Sequence, residues 1–254
     1  MNRKNAVWQR RVPETSKENL DGKVALVSGA GQGIGRAIAH ALAAEGCKIV
    51  LVGRNLAKLR AVERELRRYK ARTLSVVCDV RDPRAIKVLQ SAVKKHFSQV
   101  DILVNNAGVA HANLAVARLP AAAWQEVIDT NLTGMFMVTQ AMLPLTRRGG
   151  TIVNNLSIAA KRVFPGSSAY AASKHGALGF TNTLREELRP RGIRVIALLA
   201  GATDTAIWNA FWPSAPRKKM MSPETIARLV VHAVRLPANA AVEELTVLPA
   251  AGTL

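Results

Sequence analysis

Short apolar segments recur along the chain, with stretches of helical character between most of them. The apolar segments predict seven strands, near residues 23–28, 48–52, 73–78, 101–104, 151–156, 194–199 and 244–248. Strands that alternate with helices imply a parallel sheet with right-handed crossovers and helices on both faces. We therefore expect an α/β doubly wound sheet, in which a ligand lies beyond the carboxyl ends of the strands.

A glycine-rich segment follows the first predicted strand. Residues 28–35 read SGAGQGIG and lead into an alanine-rich helical segment. Gly29, Gly33 and Gly35 let the backbone turn sharply and approach a pyrophosphate, which the free N–H groups of a helix N-terminus attract. The spacing GxxxGxG differs from the usual GxGxxG of dinucleotide sites, and glycines here also serve close packing. The segment is a candidate phosphate-binding loop.

Tyr170 and Lys174 are the strongest candidates for chemistry. Their spacing places them one turn apart on the same face of a helix. Ser157 precedes Tyr170 with twelve residues between them. A phenol titrates at about pH 10, and an ammonium a few ångströms away favours the phenolate. We therefore expect a tyrosine that exchanges protons near neutral pH.

Several motifs, in the same order along the chain, resemble those of the short-chain dehydrogenase/reductase family. They are SGAGQGIG at 28–35, CDV at 78–80, NNAG at 105–108, Asn131 within DTNLTG, Ser157, YAASK at 170–174 and the segment 201–205. The resemblance covers residues 20–254. It implies a single domain of the Rossmann type with about seven parallel strands.

The resemblance also implies a reaction, hydride transfer between a nicotinamide and a carbonyl or secondary alcohol carbon. In reduction, Tyr170 would donate the proton to the carbonyl oxygen and Ser157 would hydrogen-bond that oxygen. Lys174 would lower the pKa of the tyrosine and bind the nicotinamide ribose. Asn131 would perturb its helix and hold a water that passes protons to the lysine.

The cofactor-binding residues that the resemblance implies lie mostly at strand ends. They are Gly29, Gln32, Gly33, Ile34, Gly35, Arg54, Asp79, Val80, Asn106, Ala107, Gly108, Gly201, Thr203 and Thr205, together with Tyr170 and Lys174. After the second strand, NAD enzymes of the family tend to carry an acid that repels a 2′-phosphate. This chain has Arg54 there, whose guanidinium can bond that phosphate. We therefore expect NADP(H) to be preferred over NAD(H).

Two positions depart from the family's pattern. Ala200 stands where a proline usually shapes the nicotinamide pocket, although Thr203 and Thr205 remain to hydrogen-bond the carboxamide. Asn155 stands two residues before Ser157, where an apolar residue is commoner. We expect Asn155 to be a buried amide that needs partners.

The composition fits one soluble domain of 254 residues. No apolar run approaches the roughly 18 residues of a membrane span, and the N-terminus lacks the apolar core of a secretory signal. We therefore expect a cytoplasmic protein. Cys47 and Cys78 are predicted at opposite ends of neighbouring parallel strands, too far apart for a disulfide. No paired Cys/His spacing indicates a metal site, so none is expected.

The chain is strongly basic, with 36 Lys plus Arg against 17 Asp plus Glu and a net charge of +19. Much of the charge lies on a helix predicted for residues 59–72. More lies in residues 1–19, which we expect to form a basic, mobile N-terminal arm. A basic surface favours anionic partners.

The charge leaves two alternatives to a reductase of free ketones. One is a nucleotide-sensing protein that binds nucleic acid. The intact set of proton-transfer residues argues against this alternative. The other is a reductase of 3-oxoacyl chains on an acidic carrier protein. In that case Arg217, Lys218 and Lys219 would steer an anionic tail of the substrate. The resemblance also suggests a homodimer or homotetramer, with contacts through helices around 121–147 and 168–190.

The segment after the sixth strand, residues 205–222, would form a mobile lid over the substrate in the resembling family. Its apolar residues Ile207, Trp208, Phe211 and Trp212 are candidates for lining the substrate pocket. The alternative is that they pack beneath the lid or in a subunit interface. Apolar walls favour apolar ligands. The sequence therefore predicts a ketone reductase that acts on an apolar small molecule.

Overall fold

Seven parallel strands form one sheet in the computed structural model, which describes residues 18–252. The strands are β1 (Val24–Ser28), β2 (Lys48–Gly53), β3 (Thr73–Val77), β4 (Val100–Asn105), β5 (Thr146–Asn155), β6 (Arg194–Ala200) and β7 (Glu244–Val247). Their order across the sheet is β3-β2-β1-β4-β5-β6-β7. The structure confirms the predicted fold class. The basic arm predicted for residues 1–19 falls almost entirely outside the described residues, so it stays a prediction.

Helices connect the strands and cover both faces of the sheet. They are α1 (Gly33–Ala44), α2 (Leu56–Leu66), α3 (Pro83–Phe97), α4 (Ala121–Ile128), α5 (Gly134–Met142), α6 (Ser168–Leu188), α7 (Trp208–Phe211) and α8 (Pro223–Val234). Short 3-10 turns follow several of them. The connections between parallel neighbours are the crossovers that the alternating pattern predicts.

The strands divide their side chains between two apolar layers. In β1, Ala25 and Val27 pack with residues of α1, α2 and α8, whereas Val24 and Leu26 pack with residues of α3, α5 and α6. All four side chains are buried. Burial on both faces explains why the strands read as continuous apolar runs rather than as alternating patterns.

The fifth strand begins earlier than its apolar run predicts. β5 starts at Thr146, pairs there with Val100, and resumes its pairing with β4 at Thr151 and Ile102. Between the two pairs, residues 147–150 form an irregularity in which Gly149 has φ +82°, in the left-handed region that glycine tolerates. The predicted start at 151 was wrong because arginine and glycine residues interrupt the apolar pattern.

The long helix expected around 121–147 is broken into pieces. α4 passes into a π-helical turn at Asp129–Thr133, α5 follows, and a 3-10 turn at Leu143–Leu145 ends the helical segment. Pro144 lacks the N–H group that a continuing helix would need. The π turn contains Asn131, one of the predicted catalytic residues, and π turns are common at functional sites.

Three further observations concern the described residues. Cys47 and Cys78 are both buried and both free. Within residues 18–252, no helix is long and apolar enough to cross a membrane, and no group of three or more His, Cys, Asp or Glu side chains is placed to hold a metal ion.

Candidate active site

A cavity of about 410 Å³ lies at the carboxyl ends of the strands. The predicted site residues on its walls are Gly29, Gln32, Gly33, Ile34, Arg54, Asp79, Val80, Asn106, Ala107, Gly108, Ser157, Tyr170, Lys174, Gly201, Thr203, Thr205, Ile207, Trp208, Phe211 and Trp212. Gly35 and Asn131 are not on these walls. The sheet therefore brings nearly all of the candidates to one place, while the role of each residue stays a prediction.

The glycine-rich loop presents unpaired backbone donors. The first hydrogen bond of α1 runs from the Arg36 N–H to the Gln32 carbonyl, so the N–H groups of residues 33–35 precede the helical ladder. Gln32 at the N-cap makes no side-chain capping bond, and the first turn of α1 holds no acidic residue. A pyrophosphate fits such a helix N-terminus, because it accepts these hydrogen bonds and favours the positive end of the helix dipole.

The same loop touches the segment that follows β6. Gly33 has φ +55°, and a Cβ atom there would lie 3.1 Å from Cγ2 of Thr205. Thr203, two residues earlier, is buried, and its hydroxyl donates to the Gly201 carbonyl at 3.0 Å. The two predicted carboxamide-binding threonines therefore lie on the cavity wall beside the glycine loop. Ala200 lines the cavity where the family's proline is missing.

Two cations lie on the cavity wall after β2. Arg54 was predicted, whereas Lys58, in the first turn of α2, was not. The Lys58 ammonium donates to Oε1 of Gln32 at 2.5 Å, so it lies beside the phosphate loop. The sequence carried no spacing signal for Lys58, because Arg54 precedes α2 and the two residues do not share a helix.

Asp79 follows β3 and is held by a neighbouring guanidinium. Arg81 Nη2 lies 2.6 Å from Asp79 Oδ2, and the Arg81 hydrogen bond holds the pKa of this carboxyl below its ordinary value. Asp79 is therefore an ionised hydrogen-bond acceptor on the cavity wall. An ionised carboxylate in this position can accept a hydrogen bond from a cofactor's amino group.

Ser157, Tyr170 and Lys174 meet at the cavity wall. Ser157 follows β5, and its Oγ accepts a hydrogen bond from the Ala159 N–H at 3.1 Å. Tyr170 and Lys174 lie on α6, with Nζ 5.5 Å from the centre of the tyrosine ring. The ammonium donates instead to the Asn155 carbonyl, 3.0 Å away.

The pKa of Tyr170 departs from the expectation. Burial raises the pKa of the phenol, and the hydrogen bond with Ser157 only partly opposes this effect. Burial also lowers the pKa of Lys174 to about 8. The expected depression of the tyrosine pKa is therefore wrong for the protein by itself, because removal from water penalises the phenolate more than the neighbouring groups stabilise it.

Asn131 lies in the π turn, fully buried behind the cavity wall. Its Oδ1 accepts from the Val109 N–H at 2.8 Å, and its Nδ2 donates to the Val109 carbonyl at 2.9 Å and to Ser173 Oγ at 3.1 Å. A Cβ atom at Gly108 would lie 3.3 Å from Asn131 Oδ1 and 3.8 Å from Lys174 Nζ. Both polar groups therefore face the position of Gly108, which has no side chain to separate them.

The segment after β6 folds over the cavity. Ile207, Trp208, Phe211 and Trp212 line it, and the Trp208 ring packs edge-on against Phe211 and Trp212, with centroids 5.9 and 6.3 Å away. Trp208 Nε1 donates to the Thr203 carbonyl at 2.9 Å. The four lid residues therefore form part of the cavity wall, and Trp208 is anchored to the base of the lid.

Arg217 has a different position from the one expected. Its guanidinium donates to the Asp204 carboxylate, to the Thr205 carbonyl and to Asn209 Oδ1, at 2.9, 2.7 and 2.7 Å. It therefore joins the two ends of the lid. Lys218 and Lys219 are exposed.

Comparison with known proteins agrees with this geometry. The sequence profile described as short chain dehydrogenase matches residues 23–215. An uncharacterized oxidoreductase of Staphylococcus saprophyticus is 34% identical over 238 residues, covering 91% of this chain and 98% of the relative. A 3beta-hydroxysteroid dehydrogenase of Mediterraneibacter gnavus is 37% identical over 189 residues, covering 74% of this chain and 68% of that enzyme.

A solved structure shows the same likeness in three dimensions. The alcohol dehydrogenase of Thermococcus sibiricus, complexed with 5-hydroxy-NADP, superposes with a TM-score of 0.85 at 29% identity. The match covers 91% of this chain and 97% of that one. With the profile matching most of the chain and the predicted serine, tyrosine and lysine meeting at one cavity, the chain belongs to the short chain dehydrogenase family.

Proposed function

We propose that this NAD(P)-dependent oxidoreductase reduces ketones that carry a bulky apolar part and prefers NADP(H) as its cofactor. One observation carries the proposal: Ser157, Tyr170 and Lys174 share a single cavity with the aromatic side chains of the lid. A carbonyl carbon at the polar end of this cavity would place its apolar substituents against Trp208 and Phe211.

The bound cofactor supplies or accepts a hydride at C4 of its nicotinamide. Tyr170 supplies the proton that the carbonyl oxygen needs in reduction. Because burial raises its pKa, the phenol is protonated at neutral pH, which is the form that reduction requires. Ser157 hydrogen-bonds the same oxygen and orients it, since its own Oγ is held by the Ala159 N–H.

Lys174 replaces the proton that Tyr170 gives up. Its pKa of about 8 lies close to neutral pH, so the ammonium both gives and recovers a proton readily. Asn131 faces the position of Gly108 together with Lys174, and it would hold a water there that continues the proton path. In this proposal, Lys174 also binds the hydroxyls of the nicotinamide ribose.

The cofactor preference rests on the charges beyond β2. Arg54 and Lys58 are exposed on the cavity wall, and no carboxylate follows β2 before them. Two cations favour a 2′-phosphate through charge-assisted hydrogen bonds. The related alcohol dehydrogenase of Thermococcus sibiricus, with its bound 5-hydroxy-NADP, supports a nucleotide of this kind.

The substrate preference rests on the apolar lining. Val109, Ile158 and Phe164 join the four lid residues on the walls, so much of the surface is aliphatic or aromatic. Burying apolar substrate surface there contributes about 25 cal/mol per Å². A relative that acts on a hydroxysteroid, by its name, supports an apolar substrate of some size.

A panel of ketones with NADPH and with NADH tests the proposal. We expect aryl and medium-chain alkyl ketones to have a higher kcat/KM than acetone or free sugars, and NADPH to give a higher kcat/KM than NADH. Preference for small polar polyols would contradict the proposed substrate. Equal or higher efficiency with NADH would contradict the cofactor preference.

The alternative of a carrier-bound 3-oxoacyl substrate has one supporting observation. Lys218 and Lys219 are exposed on the lid and available to an anionic tail, whereas Arg217 is occupied within the lid. A carrier-bound ketone turned over much faster than the matching free ketone would favour this alternative. Tight binding of duplex DNA at physiological salt, without any reductase activity, would favour the nucleic-acid alternative instead.

A further inference from the structure

Asn155, at the end of β5, binds two different parts of the site. Its carbonyl oxygen accepts a hydrogen bond from Lys174 Nζ at 3.0 Å. Its side-chain Nδ2 donates to Oδ1 of Asn106, 2.8 Å away. A single residue therefore contacts both the proposed proton-transfer lysine and the asparagine that follows β4.

Asn106 in turn contacts the glycine-rich loop. Its Nδ2 donates to the carbonyls of Ser28 and Gly29, at 3.0 and 3.3 Å. Since carbonyls only accept, the orientation of this amide is settled, with Oδ1 toward Asn155. Asn155 must then donate through its own Nδ2. The two side-chain amides therefore form a chain of hydrogen bonds in which every donor points from β5 toward the turn after β1.

The loop is shaped around the Asn106 amide. Gly29 has φ +66°, and a Cβ atom there would lie 2.9 Å from Asn106 Nδ2. A Cβ atom at Gly35 would overlap the same nitrogen. A Cβ atom at Gly35 would also overlap the Gly29 carbonyl, and one at Gly29 would lie 3.0 Å from Cα of Ala107, so the loop packs closely on the Asn106 amide and on neighbouring backbone. The loop and the first turn of α1 therefore contact an amide that Asn155 holds.

Stability alone does not explain an asparagine at position 155. Its Oδ1 is buried and has no hydrogen-bond partner among the described residues, which costs stability. Leucine has nearly the same shape and lacks that unpartnered oxygen, although it would leave Asn106 Oδ1 without its donor. Asn154, on the opposite face of β5, differs: its amide accepts from Asn105 and donates to Thr181, at 2.8 and 2.9 Å.

We propose that Asn155 is a positioning residue for the cofactor. Through Asn106 it holds the glycine loop in the conformation that binds the pyrophosphate, and through its carbonyl it holds Lys174 at a fixed distance from that loop. The inference rests on the nicotinamide dinucleotide site proposed above. Asn155 is one of the two positions at which this sequence departs from the family's pattern, and its side chain thereby has a function.

The Asn155→Leu and Asn154→Leu variants form a matched pair. In Asn155→Leu the Kd for NADPH, measured by nucleotide fluorescence, should rise about tenfold, the effect of one lost hydrogen bond. Its kcat at saturating NADPH should stay close to that of the wild type, because the main-chain contact with Lys174 remains. Its melting temperature should change little, because removal of the unpartnered Oδ1 offsets loss of the bond to Asn106. Asn154→Leu should show the reverse, a lower melting temperature and an unchanged Kd.

Amide hydrogen exchange of the protein alone gives a second readout. Exchange at residues 29–35 should become faster in Asn155→Leu than in the wild type, and it should not change in Asn154→Leu. This measurement follows the loop directly and does not depend on turnover.

The Asn155→Asp variant tests the donor itself. An ionised carboxylate cannot donate to Asn106 Oδ1, whereas a protonated one can. The NADPH affinity of Asn155→Asp, relative to the wild type at the same pH, should therefore fall as pH rises through the pKa of the new carboxyl. A relative affinity that stays constant with pH would count against the role of the donor.

Two results separate the failure of this inference from the failure of the proposed function. If Asn155→Leu binds NADPH as tightly as the wild type and its loop exchange is unchanged, the inference is overturned and the proposed function stands. If the wild type binds neither NADPH nor NADH, the proposed cofactor site is overturned and the inference with it.

Discussion

Lys174 Nζ lies 5.5 Å from the centre of the Tyr170 ring, yet it donates its hydrogen bond to the carbonyl of Asn155. The lysine is thereby tied to β5 rather than to the phenol beside it on α6. Burial therefore decides the pKa of Tyr170, which is raised. A protonated phenol is the form that the proposed reduction requires.

Removal of the phenol hydroxyl should abolish turnover. In Tyr170→Phe the ring and its packing remain, so the variant should fold and still bind cofactor. The proton donor is lost, and kcat for ketone reduction should fall by about 10³-fold or more, within the range attributed to a positioned acid or base. Steady-state assays and a cofactor titration check both parts. Turnover near the wild-type rate would contradict the role of Tyr170.

The Ser157→Ala variant should change the pH dependence of alcohol oxidation. Oxidation requires the phenolate, so its rate should rise with pH in the wild type. The Ser157 hydrogen bond lowers the pKa of Tyr170, and its loss should move the rising limb to higher pH. A pH profile of kcat for both proteins measures the shift. A limb that stays in place or moves to lower pH would contradict this assignment.

Lys174 should make stability depend on pH in the alkaline range. Its pKa is lowered from 10.5 to about 8 on folding, so between these values the unfolded state binds more protons. The free energy of unfolding of the wild type should therefore rise with pH across that window, relative to Lys174→Met, by up to about 3 kcal/mol. Urea unfolding of both proteins at several pH values tests this. A flat or falling difference would show that the lysine is not buried as described.

Charge reversal at Arg54 should change the choice of cofactor. Arg54→Asp removes a cation that would bind the 2′-phosphate and adds a carboxylate that repels it, so the ratio of kcat/KM for NADPH to that for NADH should fall by at least tenfold. Arg60→Asp is the matched control, because Arg60 is an exposed arginine on the neighbouring helix α2 that is not on the cavity wall. An equal effect of both variants would indicate general electrostatics rather than a contact.

The lid tryptophans should determine how strongly large substrates are preferred. Loss of ~60 Å² of apolar contact in Trp208→Ala or Trp212→Ala corresponds to about 1.5 kcal/mol, or about tenfold in kcat/KM for an aryl ketone. Cofactor affinity should stay nearly unchanged. Trp124→Ala is the control, since Trp124 lies exposed on α4 and not on the cavity wall. A substrate preference that survives both lid variants would show that other residues set it.

Much of the fold followed from local pattern. The strands β1, β2, β4 and β6 were predicted to within about one residue, because continuous apolar runs bounded by polar or glycine residues are typical of strands buried on both faces of a parallel sheet. β5 was predicted less well, since Arg147 and Arg148 interrupt its pattern. The break at the π turn had no signal in the apolar pattern, although the resemblance implied that Asn131 perturbs its helix; there the Asn131 amide bonds both backbone groups of Val109.

The order of strands and helices, the glycine loop and the one-turn spacing of Tyr170 and Lys174 could be predicted, because all of them depend on residues close together in sequence. Packing in three dimensions set which distant groups meet. Asn155 and Asn106 are 49 residues apart in sequence and share a hydrogen bond, and Arg217 turns toward the lid instead of solvent. It also decided the pKa of Tyr170, because desolvation depends on everything packed around the phenol and not on its neighbours in sequence.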